Sequence, residues 1–447
     1  EVETPRASVS TSLDTNGALS ISSMSLPPHH PADPIRWHLA ITLIFAILAA
    51  ILLTVPSIPM FDEVHYLPAA RNLLALSDAV NLEHPPLGKE LIAAGMWLLG
   101  DGPLGWRITP LLFGTLALFS ACRALWFLTE RRAPSLLAGL FLVTGFPLLL
   151  QARIAMLDVF MLAFVMLALW MCAAAVRQPE TARWRVALGG AALGLAMAAK
   201  WNAIPIAVLP GLAFFAARAW SGGRHFLTSN RGWPIGGMTL AEAALWLGLV
   251  PLATYALTYW PFLFYAQVPG NPTGLIDLHR QMLDLQTQVL PAHPYQSQWW
   301  QWVSNTRAIW YLYETVDGAQ RGVLMMGNPL SSLVALPALA WCGWAWFKQG
   351  RRDCAALLVL YLASMALWVV APKPVQFFYH YALPHCFAMG ALALGVEKLW
   401  QQGERLTPAA IVLGSTGLFV WFYPILTAAP LVGEQSFLDY AWLVGWR

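Results

Sequence analysis

Apolar runs of about 18–25 residues, the length a helix needs to cross a bilayer, recur along most of the chain. Inside hydrocarbon every backbone N–H and C=O must find a partner within the protein, which leaves helices and closed barrels. A barrel would read as short alternating segments separated by turns, and these are absent. The chain is therefore expected to be an all-α polytopic membrane protein. Its composition agrees: 58% of residues are hydrophobic and 11% charged, against about 25% charged in soluble domains. That excludes an ordinary cytosolic domain, a disordered protein and a nucleic-acid partner. Cys122, Cys172, Cys342, Cys354 and Cys386 lie in or beside apolar runs without a C-x-x-C pair. They read as small buried hydrophobes rather than a disulfide framework or zinc site.

Eleven spans are expected, at roughly 38–55, 106–126, 134–150, 155–176, 184–199, 202–219, 238–261, 329–347, 354–371, 377–397 and 407–428. Several are short or interrupted by Gly and Pro. Two long stretches, 56–105 and 262–328, stay outside the bilayer. Of the 26 Lys and Arg, 16 fall in the tail or in one alternating set of connections, from Arg123, Arg131 and Arg132 through Arg177, Arg183 and Arg185 to Lys398 and Arg405. The positive-inside rule makes that face cytoplasmic, so both long stretches face outward. The polar, Ser- and Pro-rich residues 1–36 are expected to be a disordered cytoplasmic tail, with no cleavable signal peptide before the first span. This divides the chain into that tail, an N-terminal transmembrane catalytic module at 37–261, an outer loop at 262–328 and C-terminal helices at 329–447. Within the first outer stretch, 64–77 and 86–99 read as amphipathic helices along the membrane surface. Residues 295–313 carry seven Trp and Tyr, which suit an interfacial belt or the lining of a groove.

The ionisable residues gather on the outer side. Asp62 and Glu63 follow the first span in Phe61-Asp62-Glu63-Val64-His65-Tyr66. A partly desolvated carboxylate there can serve as a base, and Asp62 equally suits the N-cap of a helix starting at Glu63. Lys89 follows the rigid Glu83-His84-Pro85-Pro86 turn, where it can snorkel or meet an anionic head group. Arg107, Arg153 and Lys200 sit at outer ends of spans. Cations at that depth are paired or functional, and several together suit a phosphate. His380, in Phe378-Tyr379-His380-Tyr381, is either a structural hydrogen-bonding group or a participant in chemistry. No Gly-rich nucleotide loop, Ser-His-Asp set or metal-ligand spacing is present, so no cofactor is expected, while divalent-metal dependence stays open.

The segments Phe61-Asp62-Glu63-Val64-His65-Tyr66, His84-Pro85-Pro86-Leu87-Gly88-Lys89 and Arg153 through Asp158 resemble the bacterial protein O-mannosyltransferases. The likeness continues through Lys200-Trp201-Asn202, His293-Pro294-Tyr295, Trp299-Trp300-Gln301-Trp302, Gly327-Asn328-Pro329 and Phe378-Tyr379-His380-Tyr381, in the family's order over roughly 38–400. The resemblance implies a GT-C membrane glycosyltransferase. Its donor is a sugar, typically mannose, linked through one phosphate to a polyprenol, and its acceptor a Ser or Thr hydroxyl of a secreted or membrane protein. Asp62 is then the base and Glu63 its support. Arg107, Arg153, Lys200 and Lys89 become phosphate contacts, and His65, His84, Asp158, Tyr379 and His380 candidate substrate contacts. Transfer is expected to invert the anomeric centre, at the outer face of a bacterial inner membrane. The 262–328 loop is too short for the β-trefoil domain of the eukaryotic enzymes. The rivals are a related transferase acting on a lipid or polysaccharide, and a lipid or solute transporter.

Overall fold

The computed structural model describes residues 32–289, 291–370, 373 and 375–447; the expected tail lies outside the described residues up to position 31, and its last two residues already belong to the first helix. Pro34–Arg447 form one body. It contains α1 (Ile35–Ala50), α2 (Glu63–Ala75), α3 (Leu87–Leu99), α4 (Pro103–Thr129), α5 (Arg132–Thr144), α6 (Pro147–Gln151), α7 (Asp158–Arg177) and α8 (Ala182–Ala199). Then come α9 (Ile204–Ala207), α10 (Leu209–Gly222), α11 (Leu240–Ala244), α12 (Val250–Leu257), α13 (Leu275–Thr287) and α14 (Trp299–Val303). A hairpin of β1 (Ile309–Val316) and β2 (Ala319–Met325) precedes α15 (Pro329–Gln349), α16 (Arg352–Val370), α17 (Ala382–Gln401) and α18 (Leu406–Leu426).

Each of the eleven expected spans falls on one of these helices or on a broken pair, and seven described helices are long and apolar enough to cross a membrane. The chain is a multi-pass membrane protein. Helices α7 and α17 form its centre, with 13 and 15 of their 20 residues buried; helices this apolar all round belong inside a bundle. By contrast the helical stretch from α11 through the π-helical turn Leu245–Leu249 to α12 turns Leu245, Leu249, Leu252 and Leu257 outward, as helices facing lipid do. Gly190 and Gly194 let α8 meet that region backbone to backbone: a β-carbon at either position would overlap a carbonyl oxygen, that of Trp246 or Pro251. Close approach through small residues four apart is a membrane packing device.

Two expectations need correction. The span 134–150 is broken at Gly145-Phe146. Pro147 lacks an N–H and disfavours helical geometry before it, and Phe146 takes φ +82°. Asn328 fills the break: its N–H donates to Gly145 O, its Nδ2 to Thr144 O and Ser415 O, and its Oδ1 caps α15. Second, within a fold that is predominantly helical as expected, the described residues also form one β-hairpin. Asp317-Gly318, both at positive φ, make the two-residue turn that favours a tight hairpin, pairing Glu314 with Arg321 and Val316 with Ala319.

Candidate active site

The segment joining α1 to α2 carries the two adjacent acids, and two buried arginines fix its path. The C-terminal carbonyls of α1 lack intrahelical partners. Arg153 supplies donors, to Ala49 O, to Ile51 O at 2.5 Å and to Leu52 O at 3.1 Å, and it also reaches Thr427 O. Arg107, in the first turns of α4, donates to Leu53 O, Pro56 O and Ile58 O and forks onto both oxygens of Glu63 at 2.9 and 2.8 Å. Glu63 also accepts from Met60 N and Ala155 N. Arg107 and Glu63 are both wholly enclosed. Every donor on Arg107 is thus consumed, and the expected phosphate contacts at Arg107 and Arg153 are not what this geometry offers. Lys89 is likewise occupied, donating to Asn81 O at 2.7 Å and His84 O at 2.9 Å, where it staples the turn before α3. That turn is stiff and α3 starts at Leu87, behind Pro85-Pro86, as its prolines require.

Asp62 is the contrast. It sits at the start of α2 but its side chain caps nothing, so the capping role does not hold: Glu63, not Asp62, takes the nearby N–H of Met60. Its carboxylate accepts no hydrogen bond among the described residues. Desolvation pushes its pKa up to about 6, against the opposing pull of Lys200, His65 and Lys373; Asp158 adds to the rise. Beside it, Lys200 ends α8 in extended backbone. Lys200 Nζ donates to Asp158 Oδ2 at 2.7 Å and stands 4.7 Å above the Tyr379 ring. Asp158 opens α7, where the helix N-terminus favours an anion; this pairing with Lys200 takes the place of any with Arg153. Its Oδ1 is buried without a partner among the described residues, as are Gln151 Oε1, Asn202 Oδ1 and His380 Nε2.

Aromatic rings wall the site. Phe61 stacks on Tyr311 at 4.8 Å and meets Phe377 and Tyr379 edge-on at 5.9 and 6.0 Å; Tyr379 lies 4.4 Å from His380. His293 packs on Phe377 at 5.0 Å. Gln151 links in through Tyr311 Oη at 3.4 Å. Of the aromatic segment 295–313, Trp300 is exposed while Trp302, Trp310 and Tyr311 are buried, so it serves both as rim and as lining. On the other flank Tyr66 meets His84 at 5.9 Å, His84 Nδ1 is 3.3 Å from Gln286 Nε2, and Gln286 Oε1 accepts from Lys373 at 3.3 Å. Burial, reinforced by Lys200, drives Lys373 down to about 8; burial first, then neighbouring cations, keeps His84 neutral.

The structure thus gathers Asp62, His65, Asp158, Lys200, Tyr379 and, through Gln286 and Lys373, His84, with His380 against Tyr379. It sets Glu63, Arg107, Arg153 and Lys89 behind them as framework. Sequence reasoning missed Lys373, Gln286 and Gln151, and it reached Tyr311 only as one ring of the aromatic segment 295–313. Lys373 was findable, since it too ends an apolar span, as Arg107, Arg153 and Lys200 do; Gln286 and Gln151 leave no such signal. Among the described residues, no three His, Cys, Asp or Glu side chains converge as a metal site.

The comparisons fit this arrangement. The family described as "Dolichyl-phosphate-mannose-protein mannosyltransferase" matches residues 83–265, and the "C-terminal four TMM region of protein-O-mannosyltransferase" matches 272–446, which holds α15 to α18. The polyprenol-phosphate-mannose–protein mannosyltransferase of Corynebacterium glutamicum is 27% identical over 513 aligned positions, covering 95% of this chain and 96% of that one. The Saccharomyces cerevisiae protein O-mannosyltransferase Pmt1-Pmt2 complex, solved with its sugar donor, superposes with TM-score 0.73 at 13% identity, over 92% of each chain. ArnT of Cupriavidus metallidurans bound to undecaprenyl phosphate superposes with TM-score 0.58 at 14% identity, over 91% of this chain and 79% of that one. The fold is that of the GT-C membrane glycosyltransferases, and the chain belongs to the protein O-mannosyltransferase family.

Proposed function

We propose that this protein transfers mannose from a polyprenyl-phosphate donor to Ser or Thr hydroxyls of exported proteins, with Asp62 as the base, at the outer face of a bacterial inner membrane. The observation that carries the reading is Asp62 itself: an acid that accepts no hydrogen bond from the described residues, raised to about 6 and within electrostatic reach of Lys200 and Lys373. The acceptor hydroxyl gives its proton to Asp62 as its oxygen attacks the anomeric carbon. The bond from that carbon to the phosphate oxygen breaks, and the polyprenyl phosphate leaves with the electron pair. Lys373, whose ammonium makes one long hydrogen bond among the described residues, to Gln286, and Lys200 meet the growing negative charge. One displacement inverts the anomeric centre. The acceptor oxygens of Asp158 and Gln151 and the Nε2 of His380, which find no partner among the described residues, suit sugar hydroxyls, and the Phe61–Tyr311 stack suits a sugar's C–H face. Glu63, Arg107 and Arg153 hold the segment that aims Asp62. The outward assignment of the site rests on the distribution of Lys and Arg.

The test is incubation of the purified enzyme with polyprenyl-phosphate mannose and a Ser/Thr peptide, followed by product mass. A peptide heavier by one hexose, lost in Asp62→Asn, supports the proposal. A hexosylated lipid or glycan with an unmodified peptide would assign a different acceptor, and solute uptake into liposomes without any glycosidic product would assign a transporter.

A further inference from the structure

A second cavity, of about 490 Å³, opens far from Asp62. Helix α16 runs from Arg352 to Val370, three residues short of Lys373, so at about 1.5 Å per residue Arg352 lies roughly 27 Å along the axis from the end nearest the site. The cavity is at the Arg352 end. Its walls come from α4, α5, α7, α10, α16 and α17 and are apolar: Leu125, Leu142, Met166, Phe214, Leu360 and Phe387 are representative. Exposed Trp233 and Arg352 mark the mouth, the guanidinium 5.4 Å from the ring. Neighbouring Arg131 and Arg351 are neutralised by Asp353. Among the described residues Arg352 has no acidic partner within 4 Å, and neither does Arg231, two residues before Trp233.

Folded interiors seldom hold voids of this size, and in a bilayer an apolar cavity with an open mouth has hydrocarbon within reach. A guanidinium at the mouth that makes no hydrogen bond to the described residues is complementary to a phosphate. We propose that one acyl chain of an anionic phospholipid occupies this cavity, with its phosphate against Arg352. The site is separate from the one at Asp62, since the donor's phosphate would be held by Lys373 and Lys200 at the opposite end of α16.

The experiment is native mass spectrometry of the detergent-purified protein with phosphatidylglycerol or phosphatidylcholine of identical chains. One phosphatidylglycerol per protein is expected to be retained about five- to tenfold more strongly than phosphatidylcholine, the scale of one cation–phosphate contact. Arg352→Glu, at an exposed position, should bring phosphatidylglycerol down to the phosphatidylcholine level while mannosyl transfer stays at the wild-type rate. Ala173, on α7, also lines the cavity, and Ala173→Phe, which fills it, should release both lipids. Equal retention of the two lipids by the wild type, or unchanged phosphatidylglycerol retention in Arg352→Glu, overturns the proposal. So does displacement of phosphatidylglycerol by undecaprenyl phosphate at stoichiometric concentration, which would give the cavity to the donor's tail.

Discussion

Asp62 and Glu63 are neighbours in the chain, and their surroundings differ completely. Glu63 accepts four hydrogen bonds and is closed off with Arg107; Asp62 accepts none from the described protein. The same division separates two larger regions. In the Glu63–Arg107–Arg153 anchor every charge is consumed by protein partners. In the Asp62–Asp158–Lys200–Lys373 cluster, acceptor atoms and donors are left over. Saturated charge holds the α1–α2 segment in place, while unsaturated charge, enclosed by rings, is available to a substrate. The first region should answer to stability measurements and the second to kinetics.

The largest expected effect lies in the second region. Asp62→Asn keeps the shape and removes the base, so kcat should fall by about 10²–10⁴ with the thermal midpoint in detergent unchanged. Near-wild-type turnover at matched protein level would take Asp62 out of the base role. The matching test of the anchor is Glu63→Ala, which leaves Arg107 buried and unpaired. Losing one partner of a buried pair costs about 3–5 kcal/mol, to be read as a drop in unfolding temperature and in folded yield; Glu63→Gln, which keeps two acceptor lone pairs, should lose less. If Arg153→Ala impaired donor use with its melting curve intact, the division between anchor and site would fail.

Much of this was legible beforehand, and the failures share a cause. The apolar runs located the helices because burial in a bilayer leaves few alternatives to them, and the Pro85-Pro86 turn announced α3. The cations were recognised as important from their depth, but depth cannot distinguish a cation that binds phosphate from one that binds backbone carbonyls. Arg153 is of the second kind because α1 ends in unpaired carbonyls, and Arg107 because the segment after α1 leaves the Leu53, Pro56 and Ile58 carbonyls to it; that demand appears only when α4 and the segment after α6 come beside that stretch. Lys373, the cation with donors to spare, was passed over. The β-hairpin did carry a local signal, Asp317-Gly318 behind the aromatic run 309–313, which the reading of that run as an interfacial belt overrode.

Lys373 sharpens the comparison next. Removing a hydrogen bond to a charged group costs about 1.5–3 kcal/mol, so Lys373→Ala should raise the KM for the polyprenyl-phosphate donor about 10- to 100-fold and leave that for the peptide acceptor nearly unchanged. The pH profile gives an independent check. Asp62 must be ionised to accept a proton, so kcat/KM should rise as pH passes about 6. Lys373 must be protonated to meet phosphate, so activity should fall above about 8. Lys373→Arg keeps its charge through that range, and the alkaline limb should move upward. An alkaline limb that stays in place in this variant would assign it to another group.

The smallest effect is expected at the hairpin, which bridges the two regions. Its tip is tied to the anchor, since Asp317 accepts from Ser57 N at 2.8 Å and Ser57 Oγ at 2.5 Å, and β1 presents Tyr311 to Phe61 in the site. Gly318 holds φ +73°, where a side chain costs roughly 1–2 kcal/mol. Gly318→Val should therefore lower stability modestly, as judged by the melting temperature. If the hairpin does no more than brace the fold, kcat at a temperature well below melting will match the wild type. If it aims the Phe61–Tyr311 wall at the sugar, donor KM should rise severalfold at that temperature, and Tyr311→Leu should reproduce the rise without touching the turn. Agreement between those two variants would place the tip of the hairpin in control of the site from the far side of the anchor.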